Sequence, residues 1–117
     1  MPIRLKRAYE EPGPQDGKRI LVERLWPRGL KKEEAKIDAW LKDVAPSTEL
    51  RKWYAHDPAK WAQFKERYWN ELDAEPEQVS ALAKECKQGM FTFVFGSKEE
   101  KLNNAAALKE YIERKIK

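Results

Sequence analysis

One stretch, Arg19 to Leu30, constrains the fold more than any other: Arg-Ile-Leu-Val-Glu-Arg-Leu-Trp-Pro-Arg-Gly-Leu. Ile20, Leu21 and Val22 form a short β-rich apolar run, the pattern of a strand covered on both faces. Pro27 lacks an N–H and has a fixed φ, so a ladder cannot continue through it. It also drives Trp26 into an extended conformation, and Gly29 allows a turn that other residues would resist. The stretch therefore reads as a core strand that stops abruptly. Arg24 and Arg28 are left at or beyond its carboxyl end, where open α/β sheets bind ligands.

A chain of 117 residues is long enough for one compact domain, taken as residues 1–117. Charged residues make up 38%, yet five Trp and four Phe argue against disorder. Large aromatics then supply much of the burial, each covering about 150–250 Å². The net charge of +4 arises from 24 basic and 20 acidic residues mixed along the chain. That surplus permits an anionic ligand or a nucleic acid and requires neither. Cys86 is the only cysteine and His56 the only histidine. An intrachain disulfide is thus excluded, a metal centre of ordinary stoichiometry is not expected, and no cofactor is implied. With no long apolar segment and no lipidation motif, the expectation is a cytoplasmic chain with no membrane partner.

Ile3 to Tyr9 alternates and reads as a strand with one wet face near a sheet edge. The turn formers from Glu11 to Gly17 make a connection that is short for a helical crossover, so antiparallel pairing with the next strand is the default. A helix is predicted from about Lys32 to Lys42, because Ile37, Trp40, Leu41 and Val44 fall at helical spacing. Pro46 ends it, and Ser47 is an N-cap for a short helix with Leu50, Trp53 and Tyr54 inside. Asp57-Pro58 starts a further helix carrying Trp61, Phe64, Tyr68 and Leu72. Another begins near Pro76, with Val79, Leu82, Ala83 and Cys86 as its stripe and Gly89 as its left-handed terminus. Met90 to Phe95 is the second core strand, with Phe91, Phe93 and Phe95 on one face and Thr92 and Val94 on the other. Asn103 or Asn104 caps a last helix that buries Leu108, Tyr111, Ile112 and Ile116. The sum is a small, three-layer-like α/β domain with about three strands and about five helices.

Polar motifs cluster at three places. Arginines at a strand end can clamp a carboxylate or phosphate, and Trp26 can stack on a ring. The bland alternative makes Trp26 a core plug and pairs the arginines with carboxylates such as Glu23 or Glu49. The helix start at Ser47 offers N–H groups to an anion, with Arg51 one turn on. Glu49 is a candidate proton carrier, and His56 belongs to the residue type whose charge changes near neutrality. The loop from Gly96 to Ala105 leaves a core strand and enters a helix, but it lacks the glycines of a Walker or dinucleotide motif.

Several long motifs resemble one family. They are Arg19 to Gly29, Trp40 to Trp53 (Trp-Leu-Lys-Asp-Val-Ala-Pro-Ser-Thr-Glu-Leu-Arg-Lys-Trp), His56-Asp57-Pro58, and Asn103-Asn104-Ala105. Together they are similar to the YeaO-like branch of the domain-of-unknown-function family 488, over nearly the whole chain. The resemblance implies a small α/β domain with recurring polar positions at Arg24, Arg28, Ser47, Glu49, Arg51, His56, Asp57 and Asn104. It also implies mainly parallel strands in place of the hairpin default. Two positions depart from the pattern: Glu23 stands where relatives often carry Asp, and Leu102 where they often carry His. The latter weakens any scheme that needs a histidine from the last loop.

Three functions compete. The first is a pocket for a small anionic or phosphate-bearing ligand, lined by Arg24, Trp26, Arg28, Ser47, Arg51 and Asn104, with Glu49 or His56 as proton carrier if a reaction occurs. The second is nucleic-acid binding, drawn from the charge and the aromatic–arginine neighbours. The third is a non-enzymatic interaction surface using aromatics such as Trp69.

Overall fold

The computed structural model describes residues 3–116. Four parallel strands form one sheet, in the spatial order β1 (Ile3–Arg7), β4 (Phe91–Phe95), β2 (Lys18–Leu21), β3 (Ala39–Trp40). Between them lie α1 (Lys32–Ala35), α2 (Thr48–Tyr54), α3 (Trp61–Asp73) and α4 (Pro76–Cys86), and α5 (Asn104–Lys115) follows the last strand.

The central place of β4 follows from its residues. All five of its side chains are buried, so it needs a neighbour on each side and cover on each face. Phe91, Phe93 and Phe95 point into the larger core with Ile20, Val22, Phe64, Tyr68 and Leu108. Val94 points the other way, joining Leu21 and Ala8 under Trp26, Leu30, Ile37 and Trp40. Helices α2 to α5 thus cover one face, and the segment from Trp26 to Trp40 covers the other. β1, with its partly wet pattern, takes an edge.

This arrangement overturns the hairpin expectation for the first two strands. They do not pair at all, because β4 lies between them and runs parallel to both. Residues 8–17 can return without a helix, since ten residues reach about 33 Å and a five-residue strand spans about 17 Å. Gly17 closes that return at φ +66°, where an added Cβ would lie 2.1 Å from the Met90 carbonyl oxygen.

The helix expected over 32–42 is also corrected. It stops after one turn at Lys36, which is left-handed at φ 49°. The Asp38 N–H then donates to the Arg19 carbonyl at 2.8 Å, and the Leu41 N–H donates to the Leu21 carbonyl at 2.9 Å. An open sheet edge satisfies these backbone groups, and four side chains at helical spacing do not outweigh it. Ile37 and Trp40 pack on one face of the sheet, while Leu41 and Val44 pack on the other.

Side-chain caps start α2 at Ser47, α5 at Asn103, and, at Asp57, a 3-10 turn over Pro58–Lys60 that leads into α3. Ser47 Oγ accepts from the Leu50 N–H, Asp57 from the Ala59 N–H, and Asn103 Oδ1 from the Ala106 N–H. α4 differs at its end. Lys87 closes it in right-handed geometry, and Gly89 is not left-handed.

Candidate functional site

A cleft of about 430 Å³ opens at the carboxyl ends of β2 and β4. Its wall on the β2 side begins with Glu23, two residues past the strand. The Val22 N–H still donates to the Val94 carbonyl at 3.1 Å, and the Gly96 N–H then donates to Glu23 Oε2 at 3.0 Å. The Glu23 side chain therefore ties the two strand ends together after the ladder stops. Pro27, buried beside Gly96, completes that wall. Asn104, at the start of α5, donates from Nδ2 to the Val22 carbonyl at 2.6 Å. The α5 N-terminus, through Asn103 and Asn104, thus lies at the cleft lining, where the helix dipole is positive.

α2 supplies another wall through Arg51 and Tyr54, joined by His56 two residues past its end. The Tyr54 ring stacks on Phe64 at 4.3 Å, and its hydroxyl donates to the Leu102 carbonyl at 2.8 Å. Ala55 and His56 are both left-handed, with φ of 46° and 58°. That turn sets the imidazole at the cleft, 6.1 Å from the Tyr54 ring. Two non-glycine residues in the left-handed region are a strain that surrounding structure must hold in place.

The electrostatics are uneven. Burial pushes the Glu23 carboxyl above its ordinary range, and the Gly96 N–H together with the charges of Arg51 and His56 offset part of that push. Burial likewise raises the Tyr54 hydroxyl, helped by Glu99 and Asp57. Glu99 moves the other way. The Leu102 and Lys101 N–H groups bind its carboxylate and hold it below the usual value. Arg51 forms no ion pair among the described residues.

Of the positions singled out in the sequence, the cleft brings together Arg51, His56 and Asn104. Others lie elsewhere. Arg24 turns back onto main chain, donating to the Pro46 and Ala45 carbonyls at 3.1 Å each. Trp26 faces the opposite side of the sheet, edge-on to Trp40 at 5.5 Å, with its indole N–H on the Leu30 carbonyl. Arg28 is exposed, and its carbonyl accepts from the Tyr9 hydroxyl at 2.8 Å. Ser47 is occupied by Glu71, whose carboxylate takes the Ser47 N–H at 2.8 Å and its hydroxyl at 2.6 Å. Glu49 is exposed in the first turn of α2, outside the cleft. Trp69 is half-buried against the core and donates to the Ala107 carbonyl at 3.1 Å.

Glu23 is the residue that the sequence reading missed as a cleft group, treating it as an ion-pair partner. The signal was its position, since a lone carboxylate directly ends the apolar run Ile20 to Val22 at a strand's carboxyl end. No group of three or more His, Cys, Asp or Glu among the described residues is placed to hold a metal ion. No helix is long and apolar enough to cross a membrane among the described residues.

Comparison with known proteins places this architecture. Residues 2–117 match a family described as "Inactive DUF488-N3 subclade". The uncharacterized protein YeaO of Escherichia coli is 38% identical over 112 residues, covering 96% of this chain and 97% of that protein. Uncharacterized proteins of Mycobacterium tuberculosis and Mycobacterium bovis are each 37% identical over 110 residues, 94% of this chain and 92% of theirs. No solved structure matches. The chain belongs to the YeaO-like branch of the DUF488 family, within the subclade described as inactive.

Proposed function

We propose that the cleft at the carboxyl ends of β2 and β4 binds a small anionic ligand without turning it over. The observation that carries this reading is Arg51. It lines the cleft half-buried and carries a guanidinium with no ion-pair partner among the described residues. A planar guanidinium in a partly dry cleft is suited to a carboxylate or phosphate oxygen pair. Asn104 and the positive end of α5 add to the same field, and His56 stands at the rim. The family's description as inactive supports binding over catalysis. So does the position of Glu49, which lies outside the cleft and could not move a proton within it.

The test is a nuclear magnetic resonance titration of the full chain with inorganic phosphate and with ethyl phosphate. Shifts confined to residues around Arg51, His56 and Asn104 are expected. Arg51→Ala abolishes them while stability changes by no more than about 0.5 kcal/mol, since the side chain holds nothing else. Unchanged binding in that variant, or unfolding of it, refutes the assignment.

A further inference from the structure

The cleft carries a second fixed group of opposite sign. Glu23 and Arg51 both line it, yet they do not form an ion pair within 4.0 Å. One carboxylate oxygen, Oε2, is committed to the Gly96 N–H; the other has no hydrogen bond among the described residues. A half-buried carboxylate and a half-buried guanidinium thus line one cavity, one from the end of β2 and one from α2, without pairing. Plain anions satisfy one of these two groups. They pair with Arg51 and leave Glu23 ionised beside them, or oblige it to take a proton. We infer that the ligand is a zwitterion, a small molecule whose anionic group meets Arg51 and whose protonated amine meets Glu23. This rests on the anion-binding reading above and narrows it.

Such a ligand neutralises both walls at once. The ammonium places its donors on the uncommitted Glu23 oxygen, and no proton uptake is needed. Burial makes Glu23 costly to ionise and the charge of Arg51 pulls the other way, and an ammonium beside Glu23 would favour its ionised form further. Leu25 is 67% exposed and lines the same cleft, so the carbon skeleton between the two charged groups has an apolar side chain to rest on.

Two matched pairs of probes separate this inference from its foundation. Ethyl phosphate is compared with 2-aminoethyl phosphate, and propionate with β-alanine. Each pair differs by one ammonium group. Both are titrated into the parent chain and into Glu23→Gln, which keeps the shape and an oxygen for the Gly96 N–H. The parent should bind at least one amino member about tenfold or more tightly than its plain counterpart, as a charge-assisted hydrogen bond provides. In Glu23→Gln the preference should disappear, while plain anions bind as well as before or better. Equal binding of both members by the parent, or a preference that survives in Glu23→Gln, overturns the zwitterion inference and leaves anion binding standing. If none of the four probes shifts any cleft resonance at tens of millimolar, both readings fall.

Discussion

Asp16→Ala tests how dry the amino end of the sheet is. Asp16 and Arg19 are 3% exposed each, and their side chains meet at 2.6 Å. Asp16 also accepts from Lys6 Nζ at 3.2 Å and from the Gly13 N–H at 3.0 Å, and Arg19 Nε donates to the Ala35 carbonyl at 3.0 Å. Arg19 Nη2 is buried without a partner. Removing the carboxylate leaves a buried guanidinium with a single acceptor, which costs about 3–5 kcal/mol. Domains of this kind hold about 5–15 kcal/mol in total. The unfolding entropy of a 117-residue chain is about 0.25 kcal/mol/K, so the midpoint should fall by about 12–20 °C. Urea and thermal melts at neutral pH measure both quantities. Desolvation opposes ionisation of Asp16, but the Gly13 N–H, Arg19 and Lys6 outweigh it and hold the carboxyl below its ordinary value. Its contribution is therefore present above the unfolded carboxylate range and lost as pH falls through the lower folded value. The gap between parent and variant must shrink on acidification. Asp16→Ala combined with Arg19→Met should recover most of the loss, since an apolar pair replaces a half-broken ionic one. A single-variant loss below about 1 kcal/mol would show that water reaches Arg19 and would refute the argument.

Other substitutions read the cleft and its turns. Glu23→Gln should melt above the parent at neutral pH. Burial raises the folded Glu23 value, so that group's stability is complete below the unfolded value and is lost as pH rises through the folded one. The gap should close near pH 4, about the ordinary carboxylate value, and a gap that ignores pH contradicts the assignment. Arg24→Ala should cost about 1–3 kcal/mol because two carbonyls lose a charged donor, whereas Arg28→Ala should stay within about 0.5 kcal/mol; urea midpoints decide. Ala55→Gly should raise stability by up to about 1 kcal/mol, since glycine adopts the observed φ of 46° freely, and a lower melting temperature would count against that strain.

Local signals in the sequence located most elements but not their neighbours. β2 and β4 were readable because an apolar run flanked by turn formers admits little else, and Ser47, Asp57 and Asn103 marked helix starts through side chains that bond orphan N–H groups. Sheet order was not readable. Pairing β4 between β1 and β2 joins residues 88 and 73 positions apart (Ile3 and Lys18 each with Phe91), and no short window records that. The segment from Ile37 to Val44 misled because four apolar residues at helical spacing also suit a strand and a turn that distribute them over two faces. In the cleft, His56 and Asn104 were legible as polar residues at element ends, and Arg51 as a cation one turn into a short helix. Arg24 was not, because a charge count does not reveal that a guanidinium turns back onto carbonyls.

The two ends of the sheet use the same chemistry to opposite effect. At the amino end a carboxylate and a guanidinium, Asp16 and Arg19, sit three residues apart and close on each other at 2.6 Å out of water. At the carboxyl end Glu23 and Arg51 are brought by β2 and α2 to the same hollow and stop short of contact. Gly96 holds one carboxylate oxygen, Asn104 is fixed on the Val22 carbonyl, and a strained left-handed pair turns His56 toward the opening. Backbone preference is broken at Ala55 and His56 beside a carboxylate and a guanidinium that do not pair, whereas at the amino end the corresponding charges close on each other.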